Sequence, residues 1–245
     1  MSINYQKSYS DLVHNLLRGL STDEAMSQAV GGNSFIAFGV LLRQVLIQAG
    51  LSPDHFLVDV GCGSGRLSYA LSTYLRGPYL GTDVVPEMLD YARRLCRRSD
   101  WRFEAVSDIA IPAADGAADM VCFFSVFTHL LHEDTYRYLR EAHRVLKPEG
   151  KVVFSFLEFS LPEAWTVFED KVAARDKNYP GVHNQFMDRE AIDRWAAHLG
   201  FSILGINQGD KPHIDLPQPL MLEDGSAYEH RRCLGQSVCV LRKPN

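Results

Sequence analysis

The stretch from Phe56 to Leu71, FLVDVGCGSGRLSYAL, limits what this 245-residue chain can fold into more than any other part of it. Phe56, Leu57, Val58 and Val60 are too apolar to face water on either side, which is the pattern of a strand covered on both faces of a sheet. Gly61, Gly63 and Gly65 follow, and glycine allows the positive φ and the close backbone approach that a ligand-binding turn requires. Leu67, Ala70 and Leu71 then open an apolar helical face. A covered strand, a glycine turn and a helix start belong to an open α/β sheet that binds its ligand at the turn.

The spacing of the glycines narrows the ligand. A dinucleotide fingerprint, G-x-G-x-x-G, places its third glycine at position 66, and that position is Arg66. Here the third glycine comes one residue earlier, at 65, and Asp59 stands on the strand two residues before Gly61. The run Asp59, Gly61, Gly63, Gly65 resembles the D-x-G-x-G-x-G motif of class I S-adenosylmethionine-dependent methyltransferases. A dinucleotide brings a pyrophosphate, which favours bare amides at a helix N-terminus. S-adenosylmethionine has no phosphate but carries an ammonium, a carboxylate, a ribose and a sulfonium, so carboxylates near its amino acid end become useful.

The resemblance implies a Rossmann-like α/β fold: a seven-stranded, mostly parallel sheet with an antiparallel last strand, helices on both faces, and an N-terminal helical extension. It implies S-adenosyl-L-methionine as cofactor and S-adenosyl-L-homocysteine as product, with Gly61, Cys62, Gly63 and Gly65 along the nucleoside. Asp59 would orient that loop or meet the ammonium, while the plainer reading, a strand-end acid capping the turn, stays open.

Downstream elements extend the likeness to residues 56–159. Helices are expected over 8–20 and 34–48, and Tyr5 and Tyr9 are candidate contacts to the cofactor or acceptor. Asp83 ends a short strand 18 residues after Gly65, placed to accept from two ribose hydroxyls, with Val84 beside it. A helix starting at Pro86 ends in Arg93, Arg94, Arg97 and Arg98, a cation cluster that reads as a solvated face. After a strand over 101–106, Asp108 and Ile109 match the place where the family meets the adenine, although Pro112 follows after three residues rather than four. The fourth strand, 119–126, leads into FFSVFTHL, which looks like the post-strand loop of small-molecule and sugar methyltransferases and puts Phe124 and Ser125 at the cofactor. Leu146-Lys-Pro-Glu-Gly resembles the family's L-K-P-G-G turn, with Glu149 replacing its first glycine.

Residues 160–187 show no clean period and hold Trp165, Phe168, Tyr179, His183, Asn184 and Phe186, an aromatic insertion that reads as a lid or specificity loop. A helix over 188–200 and strands over 201–206 and 237–243 complete the chain, and the long link 207–236 is expected to add to the acceptor pocket. The whole reads as one domain over 1–245, with an N-terminal arm to 55, a cofactor core over 56–159 and two acceptor-site insertions.

The net charge of −5 and isoelectric point near 6.0 argue against a nucleic-acid partner held by bulk electrostatics. The first residues lack a basic start followed by an apolar run, and the sequence nowhere strings together enough apolar residues for a membrane span, so the expectation is a cytoplasmic protein with no membrane partner. Five cysteines without C-x-x-C spacing read as free thiols. The histidines and acids have no metal-ligand spacing, so no metal is expected.

The function these residues point to is methyl transfer to a small-molecule acceptor, a hydroxyl of a sugar or metabolite. A hydroxyl needs a base, and His129, which follows the fourth strand, is the first candidate. His132 could share a helical face with it, and Glu158, at the end of the next strand, could touch the acceptor or simply pair with a neighbouring Lys or Arg. A nicotinamide-dependent oxidoreductase and a catalytically silent cofactor-binding protein are the alternatives. The acceptor and the oligomeric state are open at this point.

Overall fold

The structure is a computed structural model that describes residues 5–32, 34–177, 182–222 and 224–245. In chain order the elements are α1 (Tyr5–Gly19), α2 (Thr22–Ala29), α3 (Phe35–Gln48), β1 (Leu57–Val60), α4 (Arg66–Leu71), β2 (Tyr79–Asp83), α5 (Pro86–Cys96) and β3 (Arg102–Ala105). They continue with β4 (Ala118–Phe123), α6 (His132–Val145), β5 (Leu146–Glu158), α7 (Pro162–Asp176), β6 (Phe186–Met187), α8 (Arg189–Leu199) and β7 (Ser202–Asn207). Four two-residue strands, β8 (Ile214–Asp215), β9 (Leu220–Met221), β10 (Ala227–Tyr228) and β11 (Arg231–Arg232), precede β12 (Ser237–Arg242). The fold is α/β and Rossmann-like, its seven main strands mostly parallel. Two compact units share them: residues up to 108 together with 213–232, and residues 109–212 together with 233–245.

The first unit holds β1, β2 and β3, all parallel, with Leu57 opposite Tyr79 and Leu80 opposite Arg102. All four residues of β1 are buried, as its unbroken apolar pattern requires. Helices α3 and α4 run side by side and in the same direction, since Gly39 meets Arg66 and, four residues on in each, Arg43 Nη1 donates to the Ala70 carbonyl at 2.9 Å. Only glycine allows this approach, because a Cβ at 39 would lie 2.3 Å from the Arg66 carbonyl oxygen.

Sequence periodicity finds α1 but not the short α2, which a capping box fixes: Ser21 Oγ accepts from the Glu24 amide while the Glu24 carboxylate accepts from the Ser21 amide. Val13 of α1 and Met26 and Ala29 of α2 then pack on Val85 and Met88, and Ser64 Oγ donates to the Met26 carbonyl at 2.8 Å, so the arm lies against the glycine turn. The middle of the link 207–236 docks on the last residue of α3, where Gln48 Nε2 donates to the His213 carbonyl at 3.0 Å and Gln48 Oε1 accepts from the Asp215 amide at 3.0 Å. Nine residues separate Gln48 from Gly39, so this anchor lies about 13 Å along α3 from the level of the glycine turn.

In the second unit β4 and β5 are parallel, and β12 runs antiparallel to both β5 and β7, the reversed last strand that the sequence resemblance implies. Phe123, Phe127, Phe154 and Phe156 are fully buried between these strands and their helices, each side chain contributing about 1.5–3 kcal/mol. Glu149 adopts φ +64°, the left-handed conformation that explains why a glycine suits this turn. The insertion 160–187 is more ordered than its sequence suggests: α7 fills half of it, and β6 pairs in parallel with the end of β5, Leu157 opposite Phe186. Phe159, Trp165, Phe168 and Phe186 pack ring against ring, with centroids 4.9–6.2 Å apart; Phe159 stacks on Phe186, and the other pairs are tilted or edge-on. Tyr179, counted with them in the sequence, lies outside the described residues.

All five cysteines are free thiols; Cys62, Cys96, Cys122 and Cys239 are buried and Cys233 is exposed. In the arginine cluster at the end of α5, Arg93 pairs with Asp90 and Arg98 with Asp100, and Arg102 just beyond it pairs with Glu104.

Candidate active site

The glycine turn is shaped by β2. The Gly61 and Cys62 amides both donate to the Thr82 carbonyl, at 2.7 and 2.9 Å. Asp83 then takes the next two free amides: Oδ2 accepts from Gly63 N at 2.9 Å and Oδ1 from Val85 N at 3.0 Å. The acid picked out as a ribose acceptor is thus also the residue that fixes the turn. Each carboxylate oxygen can accept two hydrogen bonds, so acceptor capacity remains for ribose hydroxyls. Burial pushes the Asp83 carboxyl above the usual range, and the amides of Val85, Gly63 and Val84 only partly oppose this.

Gly61, Gly63 and Gly65 all have positive φ, 70°, 58° and 91°. The latter two also have no room for a side chain, since a Cβ would lie 2.7 Å from Val30 Cγ1 at Gly63 and 2.7 Å from Ala92 Cβ at Gly65. Asp59 is buried beneath the turn and accepts from the Tyr79 hydroxyl at 2.8 Å, and Tyr79 stacks on Trp101. This arrangement suits an acid that orients the turn. Burial, and after it the charge of Asp59, pushes the Cys62 thiol well above its ordinary value, so Cys62 lines the loop as a neutral thiol.

Val84 is half-buried against the cluster around Val13 and Met26. Tyr9 belongs to the same cluster; burial and then the charge of Asp83 push its phenol upward, which brings one of the two N-terminal tyrosines into the neighbourhood of that carboxylate. Asp108 is exposed after β3. Arg66, which the sequence marks only as a missing glycine, is a largely enclosed guanidinium against Phe38.

The second unit gathers a different set. Ile109 is half-buried at its start, and Phe124 and Ser125 follow β4. Ser125 has φ +57°, sparsely populated for a residue with a side chain. Its amide donates to Ser155 Oγ at 2.8 Å, and Ser155 Oγ donates to Gln236 Oε1 at 2.7 Å. Neither Ser155 nor Gln236 carries any local sequence signal, because 81 positions separate the two.

His129 Nδ1 lies 2.8 Å from the His183 carbonyl oxygen. A carbonyl only accepts, so Nδ1 carries the proton and Nε2 is the basic nitrogen of the neutral ring. Burial lowers the pKa of His129 from 6.5, outweighing the hydrogen bonds that the ring makes with the His183 carbonyl and the Asn184 side chain. His132 Nε2 lies 3.0 Å from the Phe186 carbonyl and its ring packs edge-on to Trp195. The Gln185 amide donates to the Thr128 carbonyl at 2.7 Å, so residues 183–186 are strapped along 128–132.

Glu158 is engaged elsewhere. Its Oε1 accepts from Arg189 Nε at 2.6 Å, and Oε2 accepts from Ser237 Oγ in a very short hydrogen bond. Burial pushes this carboxyl up, and the hydrogen bonds from Arg189, Ser237 and Ser160 outweigh it and hold it below the usual range. That is the paired strand-end acid of the two readings the sequence allows. Among the described residues no group of three or more His, Cys, Asp or Glu could hold a metal ion, and no helix is long and apolar enough to cross a membrane.

A parallel sheet with a glycine turn after β1 and an acid ending β2 defines a Rossmann-like nucleoside-binding protein. Residues 58–154 match the family model of the methyltransferase domain. A malonyl-[acyl-carrier protein] O-methyltransferase of Methylovorus sp. (strain MP688) is 32% identical over 160 residues, 62% of this chain and 51% of that protein. A ubiquinone biosynthesis O-methyltransferase of Methylococcus capsulatus is 29% identical over 171 residues, 67% of this chain and 71% of that protein. Magnesium protoporphyrin IX methyltransferase from Synechocystis PCC 6803 with bound SAH shares the fold, with TM-score 0.63, 16% identity and 97% of each chain covered. The chain spans about a third to a half of the length of several curated relatives that it matches.

The match to a methyltransferase domain favours S-adenosyl-L-methionine over the nicotinamide alternative. The residues present fit it: the turn at Gly63 excludes any side chain, Asp83 retains acceptor capacity, and the Arg66 Nε is buried without a hydrogen-bond partner among the described residues.

Proposed function

We propose that the protein transfers the methyl group of S-adenosylmethionine to a hydroxyl of a small molecule, a sugar or another metabolite, with His129 as general base. The cofactor supplies an electrophilic sulfonium methyl. Asp83 and the turn 61–65 bind and orient the nucleoside, and Asp59 keeps the turn in place from below. His129 takes the acceptor proton on Nε2 as the oxygen attacks.

The observation that carries this reading is the His129 Nδ1 contact to the His183 carbonyl, which sets the tautomer a base needs, with burial keeping the ring neutral near pH 7. His132 and Gln185 support it by fixing the strap that holds the carbonyl. An oxygen acceptor is supported by the O-methyltransferase names of the relatives from Methylovorus and Methylococcus. The aromatic cluster around Phe159 and Trp165, with Trp165 48% exposed, supports a small acceptor with apolar surface.

Turnover of S-adenosylmethionine across a panel of sugars, phenols and carboxylic acids tests the proposal, read by S-adenosylhomocysteine release. Methylation confined to amines or carbons would overturn it.

A further inference from the structure

Arg66 is the first residue of α4, directly after Gly65. Its guanidinium carbon lies 4.4 Å from the centre of the Phe38 ring. Its Nη1 lies 3.9 Å from the point a Cβ on Gly31 would occupy, and its Nε is buried without a hydrogen-bond partner. Among the described residues no carboxylate pairs with it. Burial alone lowers its pKa, to about 10, so the group stays charged near neutral pH in surroundings that penalise the charge. Stacking on Phe38 occupies one face of the guanidinium and leaves the coplanar N–H fork at its edge, the geometry that matches a carboxylate.

The surroundings say which anion. The turn at 30–32 touches both places: Val30 Cγ1 lies where a Gly63 side chain would be, and Gly31 lies next to Nη1. The turn at 30–32 therefore approaches both Arg66 and the glycine turn, so the molecule that the glycine turn holds is the nearest source of an anion for Arg66.

We propose that Arg66 binds the α-carboxylate of the methionyl end of S-adenosylmethionine, opposite in function to Asp83, which serves the ribose end. This rests on the cofactor reading above. An anionic group on the acceptor would satisfy the same fork, and the test separates the two sources.

Titration calorimetry without any acceptor, using S-adenosylhomocysteine and 5′-methylthioadenosine, decides it, because the second compound keeps the nucleoside and thioether but lacks the amino acid end. Arg66→Met should weaken S-adenosylhomocysteine about 10- to 100-fold and change 5′-methylthioadenosine less than about twofold, with Arg66→Lys recovering part of the loss. Equal weakening of both compounds would make Arg66 a packing residue and overturn the proposal. Unchanged S-adenosylhomocysteine binding would also overturn it and leave the acceptor as the source of the anion. Should Arg66→Met fail to fold, the same ratio is read on Arg66→Lys and Arg66→Gln. A parent protein that binds neither compound would instead sink the cofactor reading itself.

Discussion

Replacing Asp83 by asparagine tests whether one carboxylate both builds and serves the cofactor site. Its two oxygens accept from the Gly63 and Val85 amides at 2.9 and 3.0 Å. Such charge-assisted bonds are each worth about 1.5–3 kcal/mol. An asparagine keeps one acceptor oxygen and turns an NH2 group toward the other amide, so one bond is lost and one N–H is left without a partner. Removing the charge also removes the burial penalty that raises the Asp83 pKa, which offsets part of the cost. The net loss expected for Asp83→Asn is about 2 kcal/mol, a fall of about 4–8 °C in Tm for a chain of this size. Asp83→Ala, losing both bonds, should fall further. Differential scanning calorimetry measures the fall, and calorimetric titration should show weaker S-adenosylhomocysteine binding in both variants. A Tm for Asp83→Asn within about 1 °C of the parent would refute the view that this side chain holds the turn.

Three further outcomes are expected. His129→Gln should lower kcat by about 10²- to 10⁴-fold while S-adenosylhomocysteine affinity is unchanged. Because burial lowers the His129 pKa, kcat/KM of the parent should be flat above pH 6.5 and fall on the acid side with an apparent pKa under 6.5; an acid limb with an apparent pKa above 6.5 would remove His129 as base. The folded ring binds its proton less readily than the unfolded one, so this residue's share of stability is also lost as pH drops through 6.5. Gly63→Ala should cost at least about 1–2 kcal/mol from its φ of +58° alone, with the contact to Val30 in addition, measured by urea denaturation. Glu158→Gln should cost about 1–2 kcal/mol, reduced by the 42% exposure of Arg189, and leave kcat within about twofold; a tenfold loss of kcat in a folded variant would return Glu158 to the acceptor.

The parts of the site that could be read from sequence are those encoded by neighbours in the chain. Gly61 to Gly65 and Asp83 announce themselves because a turn needs particular φ values and an acid at a strand end has a set reach. His129 is legible for a similar reason, since it follows a strand apolar enough to be central. Helix α7 is not legible: Trp165, Phe168 and Val172 recur at helical spacing, but Val167 lies on the opposite face and Trp165 and Val172 are about half exposed, so no buried stripe emerges. The partners of Glu158 and Ser125 come from Arg189, Ser237 and Gln236, 31 to 111 positions away, and pairing at such distances leaves no trace in a single sequence. Arg66 shows the limit most sharply, because its residue type is plain while its enclosure against Phe38 exists only after α3 has docked.

The uneven distribution of the thiols has a bench consequence. Desolvation raises the Cys62, Cys96 and Cys239 thiols, which makes them poor nucleophiles, and leaves Cys233 as the accessible sulfur. A maleimide dye should therefore attach once per molecule, at 233, giving a ready fluorescent handle without mutagenesis. Samples stored without reductant would be expected to cross-link in pairs through that same atom, a dimer of handling to be ruled out before any quaternary structure is assigned.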